Sequence, residues 1–181
     1  MKINDVFKAI LACAAFAAVV VPSEVLAEPT AYKKQQAAQK SQALLEKLRA
    51  IENKHGDEIK KITEGKISNQ SLNQLGSLFK KIANEMYEAI AQSDAPEKVR
   101  DAALEYAQAI SNFGITCNSV PYIPSDEGEA MVYGFFRGLA GDISGGTNEI
   151  AEFQRRYTEA FSEIERKGEK LKVIAIKYGV K

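Results

Sequence analysis

The sequence predicts an all-α protein, an antiparallel bundle of about three to five helices with a small irregular cap at about residues 114–147. Apolar residues recur at spacings of three and four along most of the chain, the period of a half-buried helix. No run of alternating β-branched residues is long enough for a strand. The connections between periodic segments are short, which makes successive helices antiparallel neighbours. There is no internal repeat and no low-complexity linker.

The first twenty-seven residues stand apart. Lys2 and Lys8 flank a short start, residues 9–21 carry no charge, and Val25-Leu26-Ala27 places small or modest side chains where a signal peptidase reads. This three-part pattern predicts a cleavable secretory signal over residues 1–27 and a single helical domain over residues 28–181. The uncharged run is shorter than the ~20 residues of a spanning helix. Cys13 sits too early in that run to be a lipid-attachment cysteine. The expected destination is the periplasm or the medium; membrane association once the signal is cleaved is an open alternative and not the expectation.

The first helix is expected to open at Pro29 and Thr30, where proline is tolerated in the first turn. Its start, KKQQAAQKSQ, is polar all round, and the stripe follows as Leu45, Leu48, Ile51, His55, Ile59 and Ile62. The helix is expected to run through Gly56 and end at Gly65 with Ile67 behind it, the pattern of a glycine C-cap. Ser68 caps a second helix, with Leu72, Leu75, Phe79, Ile82, Met86 and Ile90 on one face. Asp94-Ala95-Pro96-Glu97 reads as an acidic cap, a first-turn proline and a capping-box glutamate. The third helix carries Val99, Ala103, Tyr106, Ala107, Ile110 and Phe113 and is expected to stop at Gly114.

Residues 115–126 contain Pro121 and Pro124, which exclude a helix there. A shorter helix is expected over Ser125 to Leu139, then a turn over Asp142 to Thr147, with Thr147 capping the last helix. That helix shows Ile150, Phe153, Tyr157, Phe161, Ile164, Leu171 and Ile174 in register. Gly168 falls on the same stripe, where a second helix could approach closely. The second and third helices together would form one of three long arms, the first and last helices being the other two.

Composition excludes several functions. The chain carries 24 basic and 24 acidic residues, and removing Lys2, Lys8, Asp5 and Glu24 with the signal keeps the balance at zero. A neutral chain has no electrostatic reason to seek nucleic acid. Cys117 is the one cysteine beyond the signal, so no internal disulfide supports an exported fold. It is expected to be buried as a small apolar residue, with pairing between chains as the alternative. Cys117 and His55 are the only Cys/His couple available for nucleophilic catalysis, and a histidine on an apolar stripe reads as packing.

Zinc needs ligands this chain does not supply. Asp126, Glu127 and Glu129 suit the first turn of a helix, where the dipole favours acids. Thr147 and Phe153 stand where a calcium loop from Asp142 would need Gly and Glu. Gly145-Gly146-Thr147 lacks the lysine of a phosphate loop and reads as a turn. Nothing selects a pair among the acids for glycoside chemistry, and there is no Trp to stack on a sugar. No cofactor is expected.

The local oddity is residues 130–141, AMVYGFFRGLAG, apolar, aromatic and glycine-rich on a neutral protein. Within it Tyr133, Phe135, Phe136 and Arg137 are the candidate partner contacts, since aromatics beside an arginine suit an interface hot spot. A core helix whose glycines permit close packing is the other reading. The layout of secretory signal, helical bundle and small irregular appendage is similar to that of the pilus-tip subunits of type IV secretion machines. The likeness lies in layout, with no shared motif, and implies a role in secretion or conjugation. The expectation is an exported, non-enzymatic helical protein that binds another envelope or secreted protein as an accessory subunit, adaptor or inhibitor. A lipid- or small-ligand-binding bundle is the alternative, and an enzyme working through carboxylates is a third.

Overall fold

The structure, a computed structural model, describes residues 29–64, 68–121 and 147–180. The signal expected at 1–27, the cap expected at Gly65, the helix expected over Ser125 to Leu139, the turn expected before Thr147 and the candidate contacts Tyr133, Phe135, Phe136 and Arg137 lie outside the described residues. Those described form four helices and no strand: α1 (Pro29–Glu64), α2 (Asn69–Ala91), α3 (Glu97–Asn118) and α4 (Thr147–Lys177). None of them is long and apolar enough to cross a membrane.

The helices run alternately up and down. Phe79 meets Phe113 and Tyr87 meets Gln108, so α2 and α3 form an antiparallel hairpin. This corrects the reading of the second and third helices as one arm: residues 92–96 turn the chain back on itself. Phe113 meets Phe161 while Glu105 meets Lys167, which sets α4 antiparallel to α3. His55 on Glu85 ties α1 to α2.

α2 follows the sequence closely. All six stripe residues are buried. Ser68 is the N-cap: its Oγ accepts from Ser71 N–H at 3.1 Å, and Ser71 Oγ accepts from Ser68 N–H at 2.8 Å, so each serine satisfies an orphan donor. α3 departs at both ends. Its N-cap is Pro96, with no side-chain cap, and Glu97 is its first helical residue. Asp94 is therefore not the cap, nor Glu97 a capping-box partner; Ser93 Oγ takes the free N–H of Ala95 instead.

Nor does α3 stop at Gly114. It continues to Asn118, which corrects the lower edge of the expected cap from 114 to 119. Gly114 is where α2 crosses. A Cβ on Gly114 would lie 2.7 Å from the Gly76 carbonyl oxygen, and one on Gly76 would lie 2.6 Å from that of Gly114. With its amide nitrogen toward α2, Asn118 donates to the Asn73 carbonyl at 3.0 Å and accepts from Lys80 Nζ at 3.3 Å. The extra turn carries Cys117 into the core as a free, fully buried thiol.

α1 is unbroken at Gly56. Its most buried line is Ser41, Leu44, Leu48, Glu52, His55 and Ile59, one step around from the expected stripe. Leu45, Ile51 and Ile62 flank that line, partly buried. Ser41 is tolerated there because its hydroxyl bonds back to the Ala37 carbonyl at 2.7 Å. At 36 residues, α1 is about 54 Å long, against about 35 Å for α2.

That difference gives the bundle an uneven cross-section. Tyr106 reaches Glu52, so Glu97, at the start of α3, lies level with Ala43. Among the described residues only α1 and α4 continue below that level, as a two-helix stem. Gly179 closes α4 at φ 91°, in the left-handed region. Val180 N–H bonds to the Ala175 carbonyl and Gly179 N–H to that of Ile176, the Schellman arrangement. Val180 turns inward and is buried, while a Cβ on Gly179 would lie 3.3 Å from Ala38. The first two turns of α1 pass this end, and residues 31–36 are exposed.

Candidate functional site

Where the stem joins the body, three helices enclose a half-open cleft of about 50 Å³. α1 contributes Leu45, Leu48, Arg49 and Glu52, α3 contributes Tyr106, and α4 contributes Gly168, Leu171 and Lys172. Gly168 was expected to admit a close helix. It is buried and lines this space from α4, with Arg49, Glu52 and Tyr106 on the other walls. The cavity is the size of one or two water molecules.

Glu52 sits in the core line of α1 at 8% exposure. Tyr106 Oη donates to its Oε1 at 2.8 Å. Burial pushes the carboxyl up to about 7, against the opposing pull of the Tyr106 hydrogen bond and the Arg49 charge. The group therefore changes charge near neutrality at the junction of three helices. The periodicity passed over it, because a glutamate between Leu48 and His55 reads as solvent-facing. Its signal is spacing: Leu48, Glu52, His55 and Ile59 follow one another at four, three and four.

The next turn of α1 carries the polar seam to α2. His55 Nε2 donates to Glu85 Oε1 at 3.1 Å, and Lys54 Nζ pairs with the same carboxylate at 2.9 Å. The Lys54 hydrogen bond is the main cause holding Glu85 below the usual carboxylate range. His55 is buried in this seam, as its place on the stripe implied. Cys117 is on α3, with its thiol pushed up to about 12 by burial, beyond the range of a usable thiolate. The aromatic side of the core, Phe79, Phe113, Tyr157 and Phe161, packs beside it. Among the described residues no group of Cys, His, Asp and Glu is placed to hold a metal.

Around the start of α1 and the end of α4 three large apolar side chains face solvent. Tyr32 is 58% exposed, Val173 48% and Ile176 50%. Val173 and Ile176 lie one turn apart on α4 and share a face. The Gly179–Ala38 contact sets Val173 level with about Leu44, beside the start of α3, and Ile176 level with about Ser41, below it. Sequence reading missed this group because Val173 and Ile176 sit in one apolar run with Ile174 and Ala175, which reads as the buried stripe of α4. Only the unequal helix lengths bring it out.

The chain matches no protein-family model, no curated protein and no solved structure. Its likeness to pilus-tip subunits therefore rests on the order of parts alone.

Proposed function

We propose that the chain is an exported, non-enzymatic helical protein that works by binding another protein, and that the stem is where the partner docks. The observation that carries this reading is the exposure of Tyr32 on the overhanging start of α1 and of Val173 and Ile176 on the last turns of α4. Two helices cannot cover each other's flanks, so apolar side chains there remain available to a third element. Among the described residues the charged side chains of the stem are all lysines, Lys33, Lys34 and Lys40 on α1 and Lys177 on α4, which suits a partner with an acidic face.

Other features fit. Cys117 and His55 belong to different buried seams, His55 being committed to Glu85, and together they do not form a nucleophile and base. The Glu52 cleft, at about 50 Å³, is far below the ~300 Å³ at which small-ligand sites begin, and the larger groove of about 920 Å³ between α1 and α2 is open and lined mostly by polar side chains such as Glu58, Lys61, Gln70 and Asn73, which favours a protein over a lipid. Tyr133, Phe135, Phe136 and Arg137 remain a second proposed contact, independent of the stem.

The test places a photoreactive residue at Tyr32, at Ile176 and, as a control at the opposite pole, at Ser77, in the full chain in cells. One protein captured at 32 and 176 but not at 77 is the expected result. Equal capture at all three positions, or none at the stem, overturns the proposal.

A further inference from the structure

The geometry points to a proton-operated latch: uncharged, Glu52 lets α4 lie against α1, and charged, it draws water into the cleft and frees α4 from Gly168 to Val180. The inference concerns the same stem, but it needs no partner, so either reading can fail without the other.

Three features of the fold converge on it. Glu52 is buried where α1, α3 and α4 meet, and its carboxyl lines a cavity already large enough to admit water. α4 is seated broadly on α3 through Phe161, Ile164 and the Glu105 bridges. On α1 it rests mainly through Gly168, Leu171 and Lys172 at this cleft and through Gly179 at the tip. Because Gly168 has no side chain, the seam beside the carboxyl is the thinnest part of the α1–α4 contact. A carboxylate formed there must be solvated, and the opening that solvates it is the parting of that seam.

Among the described residues, the charged or titratable groups facing Glu52 across the cleft are Arg49 from α1, Tyr106 from α3 and Lys172 from α4. Lys172 also lies 3.7 Å from Glu169. Arg49 and the Tyr106 hydroxyl stabilise the charged form, and burial opposes them more strongly. The closed state therefore holds its proton to a higher pH than the open state does. Closure is complete in acid, weakens as pH rises from about 4.5 and reaches its limit just above about 7.

The test is amide hydrogen exchange of the full chain across that range, corrected for intrinsic rates. Opening of the segment around Leu171 to Val180 is expected to grow by at least ~tenfold relative to α2 and α3 between about pH 5 and pH 8. Glu52→Gln should flatten the dependence. Tyr106→Phe should move its midpoint to higher pH by removing a hydrogen bond to the carboxylate, which keeps the test alive if Glu52→Gln folds poorly. A flat wild-type profile, a profile that survives in Glu52→Gln, or equal loosening of all four helices overturns the latch.

Discussion

Gly76 and Gly114 face each other across the α2–α3 crossing, each with its carbonyl oxygen where the other's Cβ would stand. Both glycines are mid-helix, where alanine would normally stabilise by ~1 kcal/mol. The contact reverses that sign. Gly114→Ala and Gly76→Ala are each expected to lose ~1–3 kcal/mol, because the backbones must separate and the Phe79–Phe113 packing goes with them. Gly56→Ala, in α1, is expected to gain up to ~1 kcal/mol. Urea titrations of the three variants check both signs.

This crossing also shows what the sequence could and could not disclose. α2 was legible to the residue, cap included, since its pattern of Leu, Phe, Ile and Met is unmixed. Gly114 was misread as a stop because a glycine that ends a helix and one that admits a neighbour look alike until the neighbour is placed. Glu52 was hidden for the opposite reason: its neighbours fix its burial, while its own charge argues for solvent. His55 and Cys117 were read correctly as packed, because His55 falls on the apolar stripe of its helix and a lone thiol behaves as a small apolar group.

Cys117 supplies a chemical check on the core. The thiol is fully buried and held far above the solution value. Native protein near neutral pH is expected to resist iodoacetamide, and urea-unfolded protein to take up one equivalent per exposed thiol, read by mass. Cys117→Ser is expected to cost ~1–3 kcal/mol, since the hydroxyl replaces a weakly polar group in an apolar site.

Glu105 bridges Lys167 at 2.6 Å and Lys170 at 2.7 Å, and the two ammonium groups pull its carboxyl down to about 2. A depressed carboxyl stabilises the fold above its unfolded value, and that contribution is lost as pH falls from about 4.5 toward about 2. The pair is partly exposed, so screening limits its worth. Glu105→Gln is expected to lower stability by no more than ~1 kcal/mol at neutral pH and by nothing measurable near pH 2. Melting curves at the two pH values test the convergence.

The stem and the aromatic segment make separable predictions. Val173→Ser with Ile176→Ser is expected to abolish partner capture while shifting stability by no more than ~0.5 kcal/mol, because both side chains are half exposed. Phe135→Ala and Phe136→Ala distinguish contact from core in the same way. A contact residue weakens binding at unchanged melting temperature, whereas a core aromatic costs ~3–5 kcal/mol. Binding and melting measured on the same four substitutions assign each surface.

The glycine cap at Gly179 also decides how the protein can be handled. By turning Val180 inward against the stem, it makes the chain leave α4 at the tip, close to Ala38 and the overhanging start of α1. A reporter fused just after Val180 would sit beside Ala38 and the start of α1, a few residues from Ile176, where it would compete with whatever docks there. The Ser68 end of the bundle, a full helix length away, is the place from which this protein can be labelled without silencing it.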